Sequence, residues 1–139
     1  MQSSLWPGLM RRWQPTPPRA EPLTVLLVED DPLVRDVLAE TLADRGHHVI
    51  ACEDGEQCLR ALPQIDRRVM LLTDLALPGS SGRVLADEFR RRRPGQPVVY
   101  ATGLPADSVP PLRQNEAVLL KPFSLREMLA AVDRMAAAA

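Results

Sequence analysis

The sequence predicts a doubly wound α/β domain: a five-stranded parallel sheet with helices on both faces and a shortened, proline-rich fourth helix. Three observations carry that expectation. Five short apolar runs recur, Val25–Val28, Val49–Cys52, Val69–Leu72, Val98–Ala101 and Val118–Leu120. None alternates with polar residues, so each strand is expected to be covered on both faces, as in a parallel sheet. Helical patterns fill the intervals between runs, and such alternation builds a layered α/β domain with few permitted topologies.

The 139 residues set the frame for one domain, 23–139, behind an irregular proline-rich leader at 1–22. A net charge of −1 and an aromatic content of 4% give no support to a nucleic-acid partner. Cys52 and Cys58 lack metal-type spacing and read as reduced, partly buried thiols. No apolar run approaches the roughly 18 residues needed to span a bilayer, and residues 1–22 lack the apolar core of a signal peptide. A cytoplasmic protein is expected.

In the leader, Pro7, Pro15, Pro17, Pro18 and Pro22 prevent a long helix. Trp6, Leu9, Met10 and Trp13 share one side of a single helical turn and form a candidate docking patch; the plainer reading is a disordered tail. Asp31-Pro32 opens the first helix with a cap residue and a first-turn proline, and Gly46 stops it. Leu33, Val34, Val37, Leu38 and Leu42 mark its expected inward face. The second helix is short, about Gly55–Leu62, with Leu59 and Leu62 inward.

The third, Ser81–Arg93, is expected to bury Val84, Leu85 and Phe89. Its closing run Arg90–Arg93 reads as a solvated last turn that complements the helix dipole rather than as an anion site. Between Leu104 and Asn115, Pro105, Pro110 and Pro111 leave room for a turn or two of helix at most. The last helix starts with a capping box, Ser124-x-x-Glu127, and turns Leu125, Met128, Leu129, Val132 and Met135 inward.

In sheets of this kind ligands bind beyond the carboxyl ends of the strands. The first run ends in Glu29-Asp30, the third in Asp74, the fourth in Thr102 and the fifth in Lys121, the only lysine among 17 basic residues. Carboxylates brought close together repel unless a cation sits among them. An oxygen-only donor set with no His or Cys suits Mg²⁺. Asp74, at a strand end before the turn Pro78-Gly79, is placed to act as a nucleophile toward a phosphoryl group. Lys121 supplies a compact positive charge, Thr102 a hydroxyl donor, and Gly103 leaves room for the ligand.

At VLLVEDDPLVR, LLTDLALPGSSG, VVYATG and LLKPF the sequence resembles the receiver domain of two-component response regulators, over about Thr24 to Met135. The resemblance implies a flavodoxin-like strand order 2-1-3-4-5 and a phosphoryl group accepted on Asp74 from a histidine kinase or histidine phosphotransfer protein. It implies Mg²⁺ held by Glu29, Asp30, Asp74 and the backbone carbonyl of Ala76. Thr102 and Lys121 match the switch hydroxyl and the lysine, and Pro122 would follow a cis peptide bond. Two departures stand out. Val118 occupies the switch position where an aromatic is usual, and the interval from Thr102 to Lys121 is a few residues short, as in receivers of hybrid histidine kinases.

The function expected is therefore a single-domain response regulator with no DNA-binding output segment, acting in a phosphorelay as a monomer or weak dimer with an unidentified downstream protein and no membrane partner. Two alternatives are a phosphorylation-independent interaction module on the same fold and a Mg²⁺-dependent aspartyl phosphohydrolase. The second is disfavoured because Ala76 stands where such an enzyme places its general acid.

Overall fold

The strands form where the apolar runs lie, and the sheet assembles in a single direction. The computed structural model describes residues 23–138. The leader expectations, including the candidate patch Trp6–Trp13, lie outside the described residues. Strands β1 (Thr24–Val28), β2 (His48–Cys52), β3 (Val69–Asp74), β6 (Val98–Thr102) and β7 (Glu116–Leu120) pair in parallel in the order β2-β1-β3-β6-β7. Counting these five alone, that is 2-1-3-4-5. A short antiparallel pair, β4 (Ala76–Leu77) and β5 (Ser80–Ser81), closes through Pro78-Gly79, where Gly79 takes φ 69. Helices are α1 (Pro32–Asp44), α2 (Gly55–Ala61), α3 (Gly82–Arg92) and α4 (Leu125–Ala138).

Alternation along each strand feeds two cores. Leu26, Val28, Leu71 and Tyr100 point to the face covered by α2 and α3, where Cys58, Leu85 and Phe89 meet them. Val25, Leu27, Leu72 and Val99 point to the other face, against Leu38 and Leu42 of α1 and Met128 and Val132 of α4. The period-2 geometry of a strand supplies one residue to each core in turn, so a continuous apolar run is required. The edge strand β2 departs from this: His48 and Ala51 are exposed. Both cysteines are buried free thiols, and burial raises the pKa of each, to about 12 for Cys58.

Five residues expected inward are not. Leu33, Val34 and Val37 of α1 are 77%, 40% and 50% exposed. Val34 shares a ridge with Leu38 and Leu42 at i, i+4 and i+8, but it lies in the first turn, next to the loop that follows β1. Leu33 and Val37 are each turned about 100° from that ridge. Val84 is exposed for the same angular reason beside Leu85, and Leu125 lies in the first turn of α4.

Arg90–Arg93 is also only partly a solvated run. Arg91 and Arg92 pair with Glu88 on the surface, but Arg93 donates to the carbonyls of Leu62, at 2.8 Å, and Ile65. Arg90 donates to the carbonyl of Gln114 at 2.6 Å. The proline-rich interval keeps only one 3₁₀ turn, Ala106–Ser108. The capping box forms as expected, with Glu127 N donating to Ser124 Oγ and Ser124 N to Glu127 Oε1, each at 3.0 Å. Among the described residues no helix is long and apolar enough to cross a membrane.

Candidate functional site

Register decides which side chains meet. Val28 of β1 lies level with Thr73 of β3, Asp74 with Ala101 of β6, and Thr102 with Leu120 of β7. Glu29, Asp74, Thr102 and Lys121 therefore emerge within about one residue of the same sheet edge, next to β1 and β3, where the strand order reverses.

Each residue has its own local support. Glu29 is buried; its amide donates to the Cys52 carbonyl at 3.0 Å, and its Oε2 accepts from Asp31 N at 3.0 Å. Asp31 caps α1, its Oδ1 accepting from Leu33 N and Val34 N at 2.9 and 3.2 Å, while Asp30 between them is exposed. Asp74 is the last residue of β3 and only 6% exposed. Lys121 Nζ lies 2.9 Å from Asp74 Oδ1, and Lys121 N donates to the Thr102 carbonyl at 2.7 Å. The Lys121–Pro122 bond is cis. Thr102 is buried, its Oγ1 accepting from Leu104 N at 3.0 Å.

Carboxylate oxygens of Glu29, Asp30 and Asp74 lie within 4.8 Å of one another. Burial pushes the Glu29 carboxyl up to about 7, opposed by the Asp31 amide and reinforced by Asp74. For Lys121, burial acts to lower the pKa, but the hydrogen bond to Asp74 and the surrounding carboxylates outweigh it and raise it. Three acids against one amine leave an excess of negative charge that a divalent cation would offset. The oxygen-only donors fit Mg²⁺, which takes few carboxylates and keeps several waters. The site opens into a groove of about 940 Å³ that also touches Ala76, Leu33, Val34, Val37 and Leu125. Another groove, of about 730 Å³ between α2, α3 and the β4–β5 turn, touches none of Glu29, Asp74 or Lys121.

The response regulator receiver domain model matches residues 25–133. The chain belongs to the response regulator receiver domain family. This receiver is 31% identical over 118 residues to the response regulator receiver protein CpdR of Brucella abortus, covering 83% of this chain and 98% of that one. It is 38% identical over 117 residues to FleR of Pseudomonas aeruginosa, covering 81% of this chain, but it spans only 24% of FleR's length. Among solved structures, the receiver domain of the hybrid histidine kinase CckA is 27% identical with a TM-score of 0.68, covering 81% of this chain and 98% of that one. The TrrA receiver of Thermotoga maritima, 24% identical and so a guide to fold alone, has been solved with Mg²⁺ and BeF and in complex with the histidine kinase ThkA. Binding of Mg²⁺ at an acidic pocket, phosphorylation and pairing with histidine kinases are general to the receiver family that the chain matches.

Two features of this receiver escape a sequence reading. Gly82, at the start of α3, has no space for a side chain: a Cβ there would fall 2.1 Å from the carbonyl oxygen of Asp74. Its amide donates to the Leu75 carbonyl at 2.7 Å, so the helix start is seated on the backbone of the acid itself. The second is a charged cluster in the core. Glu116, with a fully buried side chain, accepts from Tyr100 Oη at 2.7 Å and Arg113 N at 2.7 Å, and pairs with Arg83 and Arg90 at 3.4 and 3.3 Å. An acid at the head of an apolar run is its only sequence signal. Val118 is half-buried and packs against the α2–α3 core.

Proposed function

We propose that this receiver takes a phosphoryl group onto Asp74 from a phosphohistidine of a histidine kinase or histidine phosphotransfer protein, and passes the signal on by protein contact or onward transfer. The observation that carries this is the Asp74 carboxylate, buried at a strand end, with Lys121 Nζ at 2.9 Å on one oxygen and two further carboxylates within 4.8 Å.

In the proposed step an Asp74 carboxylate oxygen attacks phosphorus in line. The new P–O bond forms as the P–N bond to the donor imidazole breaks, and the electron pair returns to that nitrogen. Glu29, Asp30, Asp74 and the Ala76 carbonyl would hold Mg²⁺, which supplies positive charge to the phosphoryl oxygens. Lys121 exchanges its contact with the free carboxylate for one with a phosphoryl oxygen, a task suited to a point charge. Thr102 Oγ1, now accepting from Leu104 N, has a hydroxyl proton left to donate to the phosphoryl group. A protein donor would approach over the exposed Leu33, Val34, Val37 and Leu125, which adjoin the acids in one groove.

Incubation with acetyl phosphate and Mg²⁺ should add one phosphoryl group to the wild-type chain, read by intact mass, and none to Asp74→Ala. Equal labelling of both would refute the assignment. Turnover of phosphate esters is not expected, because Ala76 offers no proton to a leaving group.

A further inference from the structure

The two acids that follow β1 are held in different ways. Glu29 is buried and fixed at three points: its amide donates to the Cys52 carbonyl at 3.0 Å, its Oε2 accepts from Asp31 N at 3.0 Å, and its carbonyl accepts from Arg35 Nη1 at 2.8 Å. Asp30 is exposed, and among the described residues no hydrogen bond or ion pair reaches its carboxylate. Its place within 4.8 Å of the Glu29 and Asp74 oxygens is therefore set by the backbone.

The Glu29 carbonyl belongs to the peptide unit that joins Glu29 to Asp30. That unit is planar and turns as one piece, so a bond to its oxygen also fixes the direction in which the Asp30 side chain leaves. The donor comes from α1, six residues along the chain. A guanidinium is always charged, and a charge-assisted hydrogen bond is roughly twice as strong as a neutral one. Among the described residues Arg35 makes no ion pair. A cation this close to a group of acids sits on their backbone and leaves the carboxylate oxygens open. Its charge and its hydrogen bond act in opposite senses: the charge repels a divalent cation, whereas the bond arranges ligands for one.

We propose that Arg35 is a positioning residue for the Mg²⁺ site, holding the Glu29–Asp30 peptide so that both carboxylates face Asp74. It touches neither metal nor phosphoryl group. The inference rests on the reading that Glu29, Asp30 and Asp74 hold Mg²⁺.

The test is a calorimetric Mg²⁺ titration of the full chain without phosphodonor. Arg35→Met keeps the aliphatic stem and removes the donors. It should raise the Kd about tenfold, the low end for loss of a group that orients a metal ligand, because Glu29 keeps two other anchors. Arg35→Lys, which retains a cation and a donor, should recover most of that loss. Arg60→Ala also removes one positive charge, from the exposed pair with Glu56, and should leave the Kd unchanged. When acetyl phosphate labelling is followed against Mg²⁺ concentration, Arg35→Met should raise the half-saturating concentration by the same factor and leave the maximal rate as it was.

An unchanged Kd in Arg35→Met would overturn the proposal, and so would tighter binding, the result expected of a bare charge. A loss of maximal rate at unchanged half-saturation, an equal loss in Arg60→Ala, or an Arg35→Lys chain no better than Arg35→Met would do the same. Asp30→Asn separates the two readings. If it leaves Mg²⁺ binding intact, the metal site itself is wrongly assigned; if it weakens binding and Arg35→Met does not, only the role of Arg35 fails.

Discussion

At the scale of single residues, Glu29 and Gly82 set the terms on which Asp74 can act. The Glu29 carboxyl, raised to about 7, holds its proton in the folded, metal-free state through a pH range where the unfolded chain has released it. Its contribution to stability is therefore present at low pH and declines as pH rises from about 4.5 through about 7. Mg²⁺ held by Glu29, as proposed, would compete with that proton, so affinity for Mg²⁺ should increase with pH, approaching tenfold per unit below about pH 7 and levelling above it. Magnesium titrations followed by NMR between pH 5.5 and 8.5 would check this, and a flat profile would contradict it. Gly82→Ala places a methyl where the Asp74 carbonyl stands. The backbone must shift, which should cost about 1–3 kcal/mol in urea unfolding and slow acetyl phosphate labelling, since the displaced atom belongs to the proposed acceptor.

Among the elements, the interval 104–115 shows how a shortened segment is held without a helix. Arg83 donates to the Pro111 carbonyl at 2.9 Å and Arg90 to that of Gln114, while Glu116 gathers Arg83, Arg90, Tyr100 and the Arg113 amide. Side-chain bonds from α3 and β7 thus replace the backbone ladder that the prolines forbid. Glu116→Ala leaves a buried phenol without its acceptor and takes the carboxylate from two partly buried guanidiniums, which keep only their carbonyl contacts, and should cost about 2–3 kcal/mol, toward the upper end of the range for stranded buried polar groups. Tyr100→Phe removes one hydrogen bond and leaves Glu116 its arginines, so about 1 kcal/mol is expected. Equal effects from the two in thermal or urea unfolding would show that the arginines contribute nothing to this junction.

For the molecule as a whole, the parallel sheet gathers residues from five chain positions onto one edge, and what surrounds Asp74 there bears on how long a phosphoryl group survives. Ala76 and the half-exposed Leu104 flank the site, and neither can orient an attacking water. The acyl phosphate on Asp74 should persist for minutes or longer in Mg²⁺, and decay within seconds, followed by intact mass after the donor is removed, would count against this.

Sequence alone located the five strands of the parallel sheet and the residues at their carboxyl ends, because a strand covered on both faces is largely apolar and charged groups gather where the sheet stops. It also determined the caps at Asp31 and Ser124, which are local in the chain. It does not determine which side of a helix has a sheet beneath it, so its pattern places Leu33, Val34, Val37, Val84 and Leu125 inward although all five are exposed. Nor could it show that Arg90 and Arg93 reach carbonyls more than twenty residues away, or that Gly82 lies against the backbone of Asp74. Those facts depend on where elements come to rest against one another, and register, not spacing along the chain, brings Lys121 to Asp74.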